Sequence, residues 1–472
     1  MLYCVSGKEQ LTQKGLSLMM NPTTDQLVFS SVCSKKVTAV FDDHGVTSDA
    51  GVLFLREVEQ RIGVIDALTD AIVDSRHPSY VRHEVWDMNA QRVFQIALGY
   101  EDANDCDTLK GDPALKIAAG RHPVDDPDLA SQPTISRLEN MVTRKDLMRI
   151  AYALCDHFIA SYKRRPKVIV LDMDCTTDVV HGEQQLRLFN AYENEYCFQP
   201  FHVYEGLSGK LITAILRPGK TPTPQDVMAV LKRVVKRLKE AWPKTKFLFR
   251  GDSHFGKPEV LDWLEAQGLF YLVGLAKNSV LLKRSEVTLA QAKEAVERHG
   301  GKLRRYASFY YAAKTWSRPR RVILRAEASP LGVDPRYVVT NVCAPPKITY
   351  EKLYCSRGCV ELMIKEHKRH LQSDRTSCHR FEANQFRLFL HSAAYILMHT
   401  FRSTFLKGTE LARAQFDTIR LRLLKIGARV QVLKSKIIFH LPLSYPLKPL
   451  LTHCVTALLG RTGRRLHAVP DG

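Results

Sequence analysis

The sequence lacks the features of secreted and membrane proteins. No basic-then-apolar leader follows Met1, and the longest apolar stretch, residues 386–401, is interrupted by Arg387, His391 and His399. A membrane-spanning helix needs about 20 consecutive apolar residues. Neither secretion nor a membrane span is therefore expected, and we expect a cytoplasmic protein without a membrane partner.

The eleven cysteines form no C-x-x-C pair and no tight framework. This scatter is typical of reduced thiols in a cytosolic protein. A zinc site could be imagined from Cys355, Cys359, His367, Cys378 and His379, but their spacings match no familiar zinc finger. We do not expect zinc.

Acidic residues are few relative to basic ones. The chain has 49 Asp and Glu against 69 Lys and Arg, a net charge of +20. Residues 401–472 alone carry thirteen Lys or Arg against three acids, a net of +10. Such an excess points to a polyanionic partner, with nucleic acid as the first candidate. The length of 472 residues and 45% hydrophobic content are enough for two to four ordinary domains.

The first part of the chain predicts helices. Residues 1–36 show no firm pattern and form an N-terminal arm, whereas apolar periodicity from residue 37 onwards predicts an all-helical domain. Its helices are expected at residues 48–60, 62–75, 80–99, 113–119 and 136–162.

The periodicity changes after residue 162. Residues 167–173, K-V-I-V-L-D-M, predict a strand buried on both faces. Two strands around the turn at residues 206–209 predict a hairpin. The following elements are a helix, a strand, a helix and a strand, expected at residues 222–242, 246–250, 258–267 and 270–275. Strand-like segments at residues 303–312, 320–327 and 336–342 then predict an inserted β-rich subdomain.

One polar stripe lies on the helix predicted for residues 353–371. At about 100° per residue, Tyr354, Arg357, Glu361 and Lys368 share a narrow face. An apolar arc lies beside it and predicts that the stripe runs along the rim of a core; its members are Leu353, Val360, Met363, Ile364 and Leu371. Such a stripe can hold a cation and a phosphodiester together. A solvated amphipathic helix is the alternative.

The spacing of these four residues resembles the Tyr-Arg-Glu-Lys signature around the last catalytic acid of bacterial insertion-sequence DDE transposases. The resemblance covers residues 165–400 and includes local phrases such as Arg250-Gly251-Asp252-Ser253. It implies a ribonuclease-H-like α/β fold with a mixed sheet. In that fold the first acid lies on the first strand and the second follows the fourth strand.

Two upstream positions agree with this expectation. Asp172 and Asp174 lie two residues apart on the first strand and so face the same way, and Asp252 follows the fourth strand. We assign Asp174, Asp252 and Glu361 as the catalytic metal ligands. Asp174 is preferred because it begins an Asp-x-Thr sequence of the resembled kind, while Asp172 remains a supporting or alternative ligand. The implied cofactor is a pair of Mg²⁺ ions, for which Mn²⁺ is expected to substitute.

Other side chains are assigned supporting roles. Arg357 can grip a phosphate at two points, Lys368 supplies a compact charge, and Tyr354 can bond or stack near the cut end. Arg250 and His254 flank the second acid, and His254 is expected to hydrogen-bond locally. DNA contacts are predicted for Arg357, Lys365, Lys368, Trp316, Arg420, Arg422, Lys425 and Arg429.

The resemblance also implies a domain order and a function. The expected parts are an arm (1–36), a helical domain for DNA-end binding and dimerisation or a structural cap (37–162), a catalytic core (163–278 and 351–405), the β-rich insertion (279–350) and a basic helical C-terminal region (406–472). The implied protein acts on bacterial nucleoid DNA as a homodimer, cuts double-stranded terminal inverted repeats and joins them to target DNA. A nuclease of the same fold and a catalytically silent DNA-binding relative are the alternatives.

Overall fold

The structure is a computed structural model that describes residues 26–43 and 45–459. It has two compact units, one ending at Val46 and one beginning at Thr47. In the first unit, β1 (Gln26–Val32) and β2 (Lys35–Val40) form an antiparallel hairpin. The helical pattern predicted from residue 37 is wrong at its start, because the β-branched residues of β2 favour an extended chain. The two-residue strand β3 (Val46–Thr47) lies at the boundary. The first 25 residues of the predicted arm lie outside the described residues.

The second unit begins with helices. They are α1 (Val52–Ile62), α2 (Val64–Asp70), α3 (Val85–Leu98), α4 (Asp105–Leu109), α5 (Pro113–Ala118), α6 (Gln132–Met141) and α7 (Arg144–Ala160). A single helix was predicted for residues 136–162, but two are found. Thr143 starts α7 with a capping box, in which its side chain and that of Asp146 bond each other's backbone N–H. This cap favours a new start over a continuous helix.

An eight-stranded mixed sheet lies at the centre of the second unit. Its strands are β4 (Val168–Cys175), β8 (Phe201–Glu205), β9 (Leu211–Ile215), β10 (Lys246–Gly251), β11 (Phe270–Leu275), β12 (Leu303–Tyr311), β13 (Arg320–Ser329) and β14 (Gly332–Thr340). Their order is β12-β13-β14-β11-β10-β4-β8-β9. Strands β4, β10 and β11 run parallel, and the other neighbours are antiparallel. A smaller sheet contains β5 (Asp178–Val179), β6 (Leu188–Asn190) and β7 (Glu195–Phe198).

The two faces of the central sheet have different neighbours. Ile169, Leu171 and Met173 of β4 pack into a core with α8 (Pro224–Ala241), α9 (Pro258–Ala266) and α10 (Ser279–His299). Residues alternate between faces along a strand. Asp172 and Asp174 therefore point to the opposite face, which meets the helices that follow β14.

The predicted β-rich subdomain is not separate from the central sheet. Its three strands appear close to their expected positions, but β14 pairs antiparallel with β11 and so extends the sheet. The insertion also begins with the 21-residue helix α10, which was not predicted. Asn278 caps this helix by accepting a hydrogen bond from Leu281 N at 2.9 Å.

The helix predicted for residues 353–371 is part of a longer helical run with changing geometry, which we call the signature run (residues 346–370). It consists of α11 (Pro346–Ile348), a π turn (Thr349–Tyr354), a 3₁₀ turn (Cys355–Arg357), α12 (Gly358–Lys365) and a second π turn (Glu366–His370). A constant 100° per residue does not hold across such turns. Val360, Ile364 and Leu371 are nevertheless buried, as the apolar arc predicted.

The remaining elements complete a core around one long helix. They are α13 (Phe381–Thr400) with a π turn (Phe401–Phe405), α14 (Phe416–Ile419) with a π turn (Arg420–Leu424), β15 (Ala428–Leu433), β16 (Lys436–His440) and α15 (Lys448–Leu459). The C-terminal region is thus not wholly helical as predicted, because β15 and β16 form a hairpin.

Helix α13 is buried along nearly its full length and shares a core with both the N-terminal helices and the C-terminal region. Residues 47–459 therefore pack as one unit, and the boundaries predicted near residues 162 and 405 do not separate independent bodies. No helix within residues 26–43 or 45–459 has the length and apolar character needed to cross a bilayer.

Gly51 gives a test of this shared core. A Cβ at this position would lie 2.0 Å from Leu423 O and 2.4 Å from Leu424 Cα, both backbone atoms. Gly51→Ala is expected to lower the free energy of unfolding by about 1–3 kcal/mol, because the backbone has to shift. Urea unfolding measures the effect. Gly358→Ala is the matched control: nothing lies within 4 Å of its added Cβ, and it should stabilise by about 0.5–1 kcal/mol. Equal effects of the two changes would contradict the packing described.

Candidate active site

Asp174 lies near the end of β4 beside a guanidinium from the signature run. Arg357 Nη2 lies 2.7 Å from Asp174 Oδ2, and Cys175 N donates to Asp174 Oδ1 at 3.0 Å. Burial raises the pKa of Asp174 to about 6; the charge of Arg357 opposes this shift, and the nearby carboxylates of Asp252 and Glu361 add to it. Two acids far from Asp174 in the sequence therefore lie close enough in space for their charges to affect it.

Asp252 directly follows β10 and begins a short 3₁₀ turn (Ser253–Phe255). Its Oδ1 accepts from His254 N at 2.9 Å, and its Oδ2 lies 3.0 Å from His254 Nδ1. His254 thus orients Asp252, in keeping with the local hydrogen-bonding role expected for it.

Glu361 projects from α12 and is exposed. Within the described part of the chain it forms no hydrogen bond or ion pair. Its carboxylate is therefore the least constrained of the three, whereas Asp174 and Asp252 are each bound by neighbouring groups.

Tyr354 packs against the strand end beside Asp252. A Cβ at Gly274 would lie 2.8 Å from Tyr354 Oη and 3.0 Å from Ser253 N. Glycine at the end of β11 therefore allows the tyrosine to approach. Burial raises the pKa of Tyr354 to about 12, so its hydroxyl stays protonated and can donate a hydrogen bond.

Asp172 forms a buried ion pair with Arg250. Its two carboxylate oxygens each accept a 2.6 Å bond from Arg250 Nε and Nη2, and both side chains are almost fully buried. Arg250 Nη1 also donates to Leu353 O at 2.7 Å and to Ser356 Oγ. This network ties β4 and β10 to the signature run and favours a supporting role for Asp172, with Asp174 free of that network.

The predicted DNA contacts of the signature run divide into two kinds. Lys365 is half-buried and has no polar partner among the described residues. Lys368 Nζ donates to Thr177 O and lies 3.5 Å from Asp178 Oδ1. The contact with Asp178 was not predicted, although this acid lies only four residues after Asp174.

Trp316 does not lie near the three acids. Its ring meets Tyr311 edge-on, with 5.3 Å between ring centroids, and Arg320 lies over it. The register of β13, β14 and β11 places this turn beyond the start of β11, whereas Asp252 follows the end of the parallel strand β10. These contacts indicate a packing role and do not support base stacking near a cut DNA end.

Two of the predicted basic C-terminal contacts are internal. Arg420 is half-buried and donates to Ala97 O and His370 O. Lys425 lies 2.7 Å from the buried Asp49 and 3.6 Å from the centroid of the Tyr100 ring. Both are partly exposed, but their polar groups join the C-terminal region to the N-terminal helices. Charge counting along the sequence does not reveal such partners.

The other two predicted contacts remain accessible. Arg422 forms a 3.0 Å ion pair with Glu410. Arg429 is exposed and has no polar partner within the described ranges. These two are the exposed members of the predicted C-terminal set.

The donor chemistry of the site fits a hard divalent cation. Carboxylate oxygens are the ligands that Mg²⁺ prefers. The pKa of Asp174 is raised chiefly by burial and further by the charges of Asp252 and Glu361, and a bound cation would offset both effects. Arg357 supplies positive charge at this position. No group of three or more His, Cys, Asp or Glu side chains in residues 26–43 and 45–459 is already arranged to hold an ion. The acids thus share a region without forming a closed coordination shell.

The chain is similar to a known family over most of its length. A family model described as transposase DDE domain group 1 matches residues 29–462. Among solved structures, the chain is similar to a piggyBac transposase synaptic complex with hairpin DNA, studied by cryo-electron microscopy. The two are 11% identical over 80% of each chain, with a TM-score of 0.40. A comparison with curated proteins finds no match.

Proposed function

Because this chain belongs to the family of group 1 transposase DDE domains, we propose that it cuts DNA at terminal inverted repeats and transfers the released strands to target DNA. The observation that carries the proposal is the position of the acids: Asp174 lies near the end of β4, Asp252 directly follows the neighbouring parallel strand β10, and the charges of Asp252 and Glu361 contribute to the raised pKa of Asp174. Asp174 lies on β4, Asp252 directly follows β10 and Glu361 lies on α12 of the signature run, and these are the acids that we propose act together.

The topology supports a ribonuclease-H-like catalytic core. Strands β4, β8 and β9 are sequential and antiparallel, and β10 and β11 follow on the other side of β4, parallel to it. The first acid then lies on the central strand and the second follows its parallel neighbour. This is the arrangement that the sequence resemblance implied.

Each side chain of the site has a proposed role. Asp174, Asp252 and Glu361 would hold two Mg²⁺ ions, or Mn²⁺ in their place. When bound, such ions activate the attacking oxygen, stabilise the leaving oxygen and offset phosphate charge. We assign Arg357 to a phosphate, in exchange for its ion pair with Asp174, and the Tyr354 hydroxyl to a hydrogen bond beside Asp252.

The biological setting is also part of the proposal. The partners would be double-stranded terminal inverted repeats, target DNA and a second copy of this chain. The protein would act in the bacterial cytoplasm, at the nucleoid, on an insertion sequence that encodes it. We assign Arg357, Lys365 and Arg429 to DNA phosphates; Arg429 is exposed and Lys365 half-buried, whereas Arg357 is buried and would first leave its ion pair with Asp174.

A strand-transfer assay with precut ends tests the function. The purified chain, Mg²⁺, a DNA end with a free 3′-hydroxyl and a supercoiled target should give joined products. A nuclease of the same fold would nick DNA without joining, and a silent relative would bind ends without cutting or joining. Either result would overturn the proposal.

End binding should weaken steeply with salt. Each neutralised phosphate adds about −0.9 to the slope of log affinity against log salt concentration. A contact with six to ten phosphates then predicts a slope of about −5 to −9. Fluorescence anisotropy at several salt concentrations measures it. A flat salt response would show that the net charge of +20 is not used to bind DNA.

A further inference from the structure

The end of the signature run is fastened to the chain segment that carries the first acid. Lys368 Nζ donates to Thr177 O and lies 3.5 Å from Asp178 Oδ1. Thr177 and Asp178 follow Asp174 closely as the chain leaves β4. Lys368 follows Glu361 by seven residues, about two helical turns. The contact therefore joins the two elements that carry Asp174 and Glu361.

Asp178 is placed as an ion-pair partner and not as a surface acid. Its side chain is 1% exposed, and neither carboxylate oxygen has a hydrogen-bond partner among the described residues. Burying an unbonded carboxylate is costly unless a counter-charge compensates. Lys368 is the cation within ion-pair distance in this part of the chain, and it is held there by the carbonyl of Thr177.

A second contact reinforces the first. His202 Nε2 and His367 Nδ1 lie 3.0 Å apart, and both rings are buried. His202 is paired directly with Asp174 across the β4–β8 ladder, and His367 immediately precedes Lys368. His367 and Lys368, which are adjacent in the signature run, are thus each held by a residue near Asp174. These partners are His202 on the neighbouring strand and Thr177, three residues further along the chain.

We propose that Asp178 is a positioning residue, which holds Lys368 and thereby sets the distance between Asp174 and Glu361 that DNA cleavage requires. The inference rests on the proposed function of the three acids. Lys368 then acts within the protein: its ammonium group links the segment that follows β4 and Asp174 to the signature run, which carries Glu361. Asp178 touches neither DNA nor the reacting atoms.

The pair should depend on pH near neutrality. Asp178 faces Lys368 from the signature run, Asp374 from the segment after it and Cys197 from β7. Burial raises the pKa of Asp178 to about 7, with Lys368 opposing the shift and Asp374 adding to it. The carboxylate is therefore charged above about pH 7, and its attraction for Lys368 is lost as the pH falls through that value.

Asp178→Asn tests the proposal, because it removes the charge and keeps the shape. At pH 8 the single-turnover cleavage rate of preformed DNA-end complexes should fall about ten- to a hundredfold, the scale of a small misplacement of catalytic groups. The dissociation constant for the DNA end should change less than about twofold. At pH 6 the ratio of wild-type to variant rate should approach one. Glu183→Gln is the control, since Glu183 is exposed and pairs only with Arg187 among the described residues.

Three outcomes would overturn the proposal. Equal cleavage rates of wild type and Asp178→Asn at pH 8 would show that the Asp178–Lys368 ion pair is unnecessary for cleavage. Tighter DNA binding with faster cleavage would show that Asp178 restrains Lys368 from a phosphate. A loss of rate that is the same at pH 6 and pH 8 would indicate a structural effect without a role for the charge.

A measurement without DNA separates this inference from the proposed function. Thermal unfolding of the full chain is compared for wild type, Asp178→Asn, Lys368→Gln and the double variant. Non-additive changes in melting temperature at pH 8 that become additive at pH 6 are expected. Additive changes in melting temperature at both pH values would show that Asp178 and Lys368 do not interact, and would overturn this inference. Absence of wild-type cleavage would overturn the proposed function alone.

Discussion

Asp252→Asn and Glu361→Gln are each expected to abolish DNA cleavage and leave end binding unchanged. Both changes keep the side-chain shape and remove the charge that would bind a divalent ion. The rate should fall about a thousandfold or more, as it does for groups that act directly in catalysis. Cleavage of labelled inverted-repeat DNA and a parallel mobility-shift assay measure the two properties. Neither side chain carries a fold-wide network: Asp252 bonds only His254, and Glu361 has no polar partner in the described ranges.

Glu259→Gln provides the control for these acids. Glu259 is an exposed carboxylate on α9, seven residues from Asp252, and it has no ion pair among the described residues. Its replacement should leave cleavage unchanged. If Asp252→Asn or Glu361→Gln lost binding together with cleavage, the acids would be structural. If either variant still cut DNA at the wild-type rate, the site would have to lie elsewhere.

Arg250→Met is expected to cause the largest loss of stability. It removes the partner of Asp172 and leaves a fully buried carboxylate without a counter-charge. Breaking one side of such a pair costs about 3–5 kcal/mol. Urea unfolding followed by circular dichroism measures the free energy. Arg237→Met is the control, because its pair with Asp156 is more than 40% exposed on both sides and should contribute less than about 1 kcal/mol.

A double variant separates the charge from the packing. Arg250→Met with Asp172→Leu removes both members of the buried pair, so most of the loss should be recovered. Persistence of the full loss would assign it instead to the bonds from Arg250 to Leu353 O and Ser356 Oγ. A loss no larger than that of Arg237→Met would show that the buried pair is not essential to the fold.

The strand pattern of the catalytic part was predictable because its signals are local. The apolar run at residues 167–173, the turn at residues 206–209 and proline at the start of α8 and α9 mark elements within a few residues of their observed limits. The three acids could be assigned because the family resemblance implied where each one lies in the strand order. That assignment remains a prediction until the variants are measured.

The predictions from sequence were wrong where the structure depends on contacts between residues that are far apart in the sequence. Helical periodicity could not show that Arg420 bonds Ala97 O, or that Lys425 pairs with Asp49. The π and 3₁₀ turns of the signature run depend on tertiary packing, so a uniform helical rotation misplaced its side chains relative to one another. Strands β12–β14 were found, but their pairing with β11 depends on the sheet edge and not on their own sequence.

The burial of α13 restricts how proteins of this kind can change. Removing the chain before residue 163, or after residue 405, would uncover apolar side chains over most of the length of this helix. The N-terminal helices, for which DNA-end binding was one expectation, and the part that carries the three acids therefore cannot be exchanged between relatives as separate modules. New specificity for DNA ends would have to arise by substitutions within one cooperatively folded unit. Each such substitution would also affect the stability of the whole unit.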